Sequence, residues 1–510
     1  MAVVAFAATR WYLGLLGAES YGLVALFSTI QSFTALLDCG LSGTVTRATA
    51  RHNGSVESAK SIRDSVRTLE ACYWCIGLLI GTGVVASSQW IAASWLHLRT
   101  VSALEVSHAI ALIGVSVGLF SPVSLYTGGL MGIGRQVYAN AVIAILQTLR
   151  VGGSIALLCR HSNQLVLFFS WQAIVSLLTL LVLSTSLWRS LPRHASRPRV
   201  TSAAFRREAP AIAGIGRAYT VMALFTQVDK LLLSRWLPLS EYSFYSLAWT
   251  AVSIYQFAYM PVASAVFPRI ASLVAAENHS AAETLYTRSC QWLAIVIWPA
   301  AMVLATFSGP ILAMWLGAHG LEQNLPHMVS VLSPATAFGA ILYLPNMFEW
   351  AHAWTAPSFY STSGAVAVLI GLMPTVARTY GALGVVCLWA LLRLCQGLVQ
   401  LAISHRTLLT SRKRMLWLWT VLILPIAISA SVSSLIRSLI LPTTGLLSIT
   451  LAATAAFAIG SVCCLLGSSL FARGARVWRP GTLDFTIFSQ AIRDQPACVG
   501  VAEFESDDVR

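Results

Sequence analysis

Long apolar runs alternate with short polar segments along the whole 510-residue chain. The runs fall near 1–16, 21–46, 69–95, 106–131, 138–159, 164–187, 211–234, 243–268, 290–316, 328–350, 357–377, 382–404, 415–436 and 445–471. Nearly all reach the ~20 residues a helix needs to cross a bilayer core of about 30 Å. The pattern predicts an all-α, polytopic transmembrane bundle of about fourteen helices, since helices satisfy their own backbone in lipid. The first run is shorter and stops at Gly17-Ala18-Glu19, which suggests that the native start lies upstream. No basic segment precedes it as in a secretory signal.

Composition agrees: 57% of residues are hydrophobic and 10% charged, with mean hydropathy +0.73, against about 25% charged residues in a soluble domain. The net charge of +14 matters mainly through its placement. Twenty-one Lys and Arg fall in one set of alternating loops and five in the other. The positive-inside rule makes the rich set cytoplasmic, with both termini on that side. The basic loops orient the chain and touch anionic lipid. No aromatic-basic motif accompanies them, so nucleic acid is not an expected partner.

The expected organisation is a six-helix lobe over 1–187 and a basic cytoplasmic linker over 188–210. A second six-helix lobe follows over 211–410, then two additional helices over 411–472 and a polar cytoplasmic tail over 473–510. Glu19 and Arg47 recur 222 residues later as Glu241 and Arg269, and Tyr138 as Tyr360. Such an offset suggests a parallel repeat about an axis along the membrane normal, with a path between the halves.

Charges inside the spans are the candidate chemistry, because each costs roughly 3 kcal/mol to insert. Asp229 and Lys230 lie within AIAGIGRAYTVMALFTQVDKLLLSRWL (211–237). Adjacent residues do not face each other on a helix, so each needs its own partner or water. The alternative is that they mark a helix end and snorkel to the headgroups. Arg150 and Arg393 are mid-span, each about ten residues or ~15 Å from either end, which favours a functional role. Asp38 faces either a cavity or the backbone of the Gly40–Gly43 bend. Arg47 reads first as a positive-inside anchor. Glu349, near a span end in NMFEWAHAW, reads as a loop residue, with a coupling role as the lesser alternative. Pro122, Pro261, Pro299, Pro345, Pro374 and Pro425 punctuate spans and bend them.

Other chemistry finds little support. Gly54–Ser61 imitates a phosphate loop, but Ala59 replaces the second glycine and no strand precedes it. No cofactor or metal is expected. The ten cysteines are scattered, and Cys72–Cys75 lies in an apolar stretch with no second pair, so packing is the better reading.

Several motifs in order resemble the Wzx-type polysaccharide flippases of the MOP exporter superfamily. They are LGAESYGLV (16–24), LLDCGLS (36–42) with Arg47, DKLLLS (229–234), YSLA (245–248), Pro261, FPR (267–269), ILAMWLG (311–317), WAHAW (350–354), YGALG (380–384) with Trp389, and Trp417 followed by Pro425. The resemblance spans about residues 13–435. It implies a non-enzymatic carrier that moves a polyprenyl-pyrophosphate-linked oligosaccharide across the bacterial inner membrane by alternating access. The implied neighbours are the bilayer, a proton or sodium ion, and polysaccharide polymerase and chain-length proteins. A cationic cavity lined by Arg150, Lys230 and Arg393, with Arg47 in the same set, would hold the diphosphate through charge-assisted bonds. Asp229 or Asp38 would carry the coupling ion. The alternatives are a small-molecule or drug antiporter of the same superfamily and a membrane polysaccharide polymerase or glycosyltransferase. The last suits the chain poorly: outer loops are short, and Glu105, Glu241 and Glu322 are the main acids there, with no evident catalytic carboxylate pair.

Overall fold

A computed structural model describes residues 2–37, 41–50, 56–161, 165–192, 194, 197–203, 205–206, 227–317, 324–352, 354–409, 412–440 and 446–474. The described residues are almost entirely helical. Nine helical runs among them are long and apolar enough to span a membrane, and Ile423–Leu439 and Thr450–Leu466 form shorter apolar segments. Some of these runs hold more than one crossing. Ala356–Leu408 has 53 residues, about 80 Å of helix, and breaks at Gly381 (φ 61°, ψ −157°). Ala2–Leu37 breaks likewise at Gly17 (φ 78°, ψ 166°). Both glycines hold left-handed φ values that a Cβ would strain.

The apolar runs become helices because every backbone group must be satisfied away from water. Polar signals place their ends. Ser102 caps Ala103–Phe120 by accepting from the Glu105 N–H (3.3 Å), and Asn278 caps His279–Thr306 by accepting from the Ala281 N–H (3.2 Å). Large apolar side chains such as Leu79 (75% exposed) and Val137 (78%) point outward, as lipid-facing residues do.

Close helix packing uses small residues. A Cβ on Gly114 would stand 2.8 Å from the Gly81 carbonyl oxygen, and one on Gly77 would stand 2.9 Å from that of Gly118. These two four-residue glycine pairs let Val56–Ala86 and Ala103–Phe120 approach backbone to backbone. The described part of the basic segment after Ser190 lies along Val56–Ala86. Arg63 donates to the Pro192 carbonyl (3.1 Å), and the N–H groups of Arg199 and Thr201 donate to Asp64 (2.9 Å) and Thr68 (3.1 Å). The last two helices, Arg412–Ile440 and Leu446–Gly474, pack on His279–Thr306. The tail from 475 onward lies outside the described residues.

The two halves of the chain meet at one end of the bundle. Trp95 Nε1 donates to Ser234 Oγ (3.0 Å), and the Leu239 N–H donates to the His97 carbonyl (3.3 Å). The Arg235 guanidinium lies over the Trp95 ring. Glu19 holds the loop in place, accepting from the N–H groups of Arg99 (2.6 Å) and Thr100 (2.8 Å). Leu239 seats against Gly22, where a Cβ would lie 2.5 Å from its carbonyl oxygen. These contacts join the two halves at the end opposite the basic loops.

Candidate functional site: a cationic, aromatic cavity between the halves

Next to these contacts, between the halves, lies a cavity of about 370 Å³. Its walls come from Ala2–Leu37, residues 227–230, the run 239–275, and the helices Leu325–Ile341, Tyr343–Ala351 and Ala356–Leu408. A 3-10 turn, Ser253–Tyr255, interrupts the helical run where it borders the cavity. Ser28 and Thr250, separated by the same 222 residues as the sequence repeat, both line it.

Lys230 and Arg393 are its cations. Lys230 Nζ stands over the Trp249 ring, 5.2 Å from its centre, and donates to Gln227 Oε1 (3.4 Å). Arg393 donates to Gln396 Oε1 (2.8 Å) and to the Gly339 carbonyl (3.3 Å). Trp249 and Trp389 meet edge to face at 4.4 Å, and Tyr259 and Tyr343 pair at 4.9 Å. No Asp or Glu is among the described lining residues. Two half-buried cations beside aromatic faces suit an anionic group attached to a ring with apolar C–H faces.

The two charges at 229 and 230 part ways, as adjacent helical positions must. Asp229 is fully buried and accepts from the Tyr245 hydroxyl. Its Oδ1 has no hydrogen-bond partner among the described residues. Lys230 faces the cavity. The pair does not mark a snorkelling helix end, because the helix continues to 236 with Asp229 inside. Among the described residues the ion pair present is Arg67–Glu70, far along the sequence from both.

Arg150 departs from the expected arrangement. It does not line this cavity with Lys230 and Arg393. It is buried inside the first half, donating to Ser176 Oγ (2.9 Å) with its guanidinium 5.1 Å from the Phe120 ring centre. Mid-span position alone could not distinguish these faces. Arg47 lies in the helix Leu41–Ala50, with its side chain outside the described residues, as is the whole of Asp38.

Glu349 also requires a correction. It is a fully buried residue of Tyr343–Ala351 rather than a loop residue, and it accepts from Gln400 Nε2 (3.0 Å) and from Ser404 Oγ. Gln396, Gln400 and Ser404 join it as polar residues that the intramembrane-charge criterion does not pick out. Their four-residue spacing places polar groups on one helix face, a signal present in an otherwise apolar run.

A second, largely apolar cavity of about 420 Å³ adjoins the first. It shares Ser28, Thr250 and Ser253 with it and adds Phe6, Tyr12, Val24, Ile254 and Phe257. Among the described residues, no three His, Cys, Asp or Glu side chains gather as metal ligands would.

Residues 8–274 match the family model described as "Polysaccharide biosynthesis protein". No curated protein matches the chain. Among solved structures, the chain is similar to the lipid II flippase MurJ in an inward closed conformation, with 15% identity and a TM-score of 0.68. That match covers 93% of this chain and 97% of that one. It is also similar to a multidrug resistance MATE family transporter of the MOP superfamily in an inward-facing conformation. Identity there is 15%, TM-score 0.65, and coverage 80% of this chain and 94% of that one. A MOP superfamily transporter from Pyrococcus furiosus aligns at 15% identity and TM-score 0.55, over 80% and 91% of the two chains. These likenesses establish the transporter fold.

Proposed function

Because the chain belongs to the polysaccharide biosynthesis protein family, we propose that it flips a polyprenyl-pyrophosphate-linked oligosaccharide across the bacterial inner membrane. The observation that carries this reading is the pairing of Lys230 and Arg393 in one cavity without a lining carboxylate. The diphosphate sits between the two cations. The sugars lie against the faces of Trp249, Trp389, Tyr259 and Tyr343, and the first prenyl units occupy the adjoining apolar cavity. The tail remains in lipid, leaving through the gap between the halves. Arg150 is left out of this binding set, because it is buried within the first half and does not line the cavity.

Residues 1–187 and 211–410 act as two lobes that rock about the cavity, joined by the basic linker at 188–210. Residues 411–472 add two helices to the second lobe. The excess of Lys and Arg in one loop set supports a cytoplasmic position for that side and for both termini. The seal at Trp95, His97, Ser234 and Leu239 then closes the outer side, and the cavity awaits substrate from within. Asp229, buried one residue from Lys230, takes a proton or sodium ion and so biases the return step.

The test locates the lipid-linked oligosaccharide by leaflet-specific labelling in a host lacking the gene. Complete repeat units trapped on the cytoplasmic leaflet, rescued by the wild-type chain but not by Lys230→Ala or Arg393→Ala, are the expected result. Outer-leaflet units that fail to polymerise would instead indicate a polymerase. No change in the glycolipid would favour the small-molecule antiporter, whose MATE representatives share the fold.

A further inference from the structure

Two groups on the cavity wall, Arg393 and Asn346, are tied to a carboxylate that is not on it. The link runs through two carboxamides one turn apart on Ala356–Leu408. Arg393 Nη1 donates to Gln396 Oε1 (2.8 Å), Gln396 Nε2 donates to Gln400 Oε1 (3.0 Å), and Gln400 Nε2 donates to Glu349 Oε1 (3.0 Å). Gln400 Nε2 also donates to Asn346 Oδ1. Every bond in the chain points the same way, from the guanidinium to the carboxylate.

That common direction has a physical cause. A guanidinium only donates, and an ionised carboxylate only accepts. Arg393 therefore turns the Gln396 oxygen toward itself, leaving the Gln396 amino group to face Gln400. The same logic aims the Gln400 amino group at Glu349. Each bond polarises the next, which makes a chain of this kind stiffer than its separate parts. The Arg393 seat is narrow at its other side too: a Cβ on Gly339 would lie 2.7 Å from Arg393 Nε.

We propose that Glu349 is a positioning residue for substrate recognition. As the accepting end of the chain, it holds Gln400 and Gln396 in one orientation and so fixes how Arg393 and Asn346 are presented to the cavity. This deepens the reading that the cavity takes a diphosphate and rests on it. It also explains why a carboxylate is kept within the membrane-spanning bundle, away from the cavity surface.

The test uses the full chain in lipid nanodiscs, with farnesyl pyrophosphate as the probe and calorimetric titration as the readout. Glu349→Gln keeps the shape but supplies a group that donates as well as accepts, so the direction of the chain is released. It weakens binding about tenfold, the order expected when one charge-assisted contact is lost. Glu349→Asp regains part of the loss, and Gln400→Met, which cuts the chain at its middle, weakens binding in the same direction. In an Arg393→Gln background, Glu349→Gln costs much less than in the wild type, because its effect runs mainly through Arg393, with only the Asn346 branch left. Additive losses, or wild-type binding by Glu349→Gln, would overturn the assignment.

A second measurement does not depend on the diphosphate. A cryo-EM structure of the Glu349→Gln protein in nanodiscs should show the Arg393 guanidinium displaced from Gln396 and Gly339; an unmoved Arg393 refutes the proposal. Equal binding of farnesyl pyrophosphate by the wild type and Arg393→Gln would instead remove the diphosphate reading, with the position of Arg393 still deciding the role of Glu349.

Discussion

Gly339→Ala separates the geometry of the cavity from its composition. The substitution removes no charge and no hydrogen-bonding group. A Cβ at this position would stand 2.7 Å from Arg393 Nε, 2.9 Å from Nη2 and 3.2 Å from Cζ. Ordinary contact needs ~3.5 Å, so the guanidinium must retreat by about 0.8 Å. The retreat lengthens the Arg393 bond to the Gly339 carbonyl, already 3.3 Å, beyond useful range. A charged hydrogen bond of this kind contributes about 1.5–3 kcal/mol, and a 1 Å misplacement can reduce a rate on the order of 100-fold. Gly339 lies inside the helix Leu325–Ile341, where alanine is intrinsically favoured by about 1 kcal/mol. The Arg393 side chain is flexible and moves before the backbone does. The helix gain offsets part of the lost bond, so Gly339→Ala should melt only slightly below the wild type, yet bind and transport at least tenfold less well. The assay compares thermal unfolding in detergent with flipping of a short-chain fluorescent polyprenyl-pyrophosphate glycan in proteoliposomes. Wild-type transport refutes the reasoning, as does an equal fractional loss when the substitution is made in an Arg393→Gln background.

Lys230→Met should weaken binding of a prenyl pyrophosphate by about 2 kcal/mol, or roughly 30-fold, since one charged contact is lost; the dissociation constant, measured by titration, checks it. Arg150→Met should leave that constant within about twofold, because Arg150 does not line the cavity, while lowering the melting temperature through loss of its Ser176 and Phe120 contacts. A large loss of affinity would return Arg150 to the binding set. Gly114→Val should destabilise the first half by about 1–3 kcal/mol, since its Cβ would meet the Gly81 carbonyl at 2.8 Å; an unchanged melting temperature contradicts the close packing. Glu19→Ala removes the acceptor for the Arg99 and Thr100 N–H groups. It should broaden the distance distribution between spin labels placed at 97 and 239, and an unaltered distribution would show that Glu19 does not hold the seal.

Much of this architecture is legible along the chain because lipid imposes a one-dimensional constraint. Apolar runs of sufficient length must become helices, and the run boundaries after 16 and between 377 and 382 coincide with the breaks at Gly17 and Gly381. The cost of an intramembrane charge likewise singles out Asp229, Lys230, Arg150 and Arg393 without reference to packing. Adjacent positions on a helix also diverge by simple geometry, which anticipates the separate surroundings of Asp229 and Lys230.

What sequence alone could not settle was which charges share a space. Lys230 and Arg393 are 163 positions apart and meet only because residues 227–236 and Ala356–Leu408 border the same cavity. Arg150, equally deep in its span, points among helices of its own half, because rotation about the helix axis depends on the neighbours it packs against. Glu349 lies close to a polar run that reads as a loop, and its burial depends on Gln400 and Ser404 from another helix. Hydrophobicity and length are properties of a segment and survive as sequence. The facing of a charge, and the partner that makes its burial tolerable, arise only between segments.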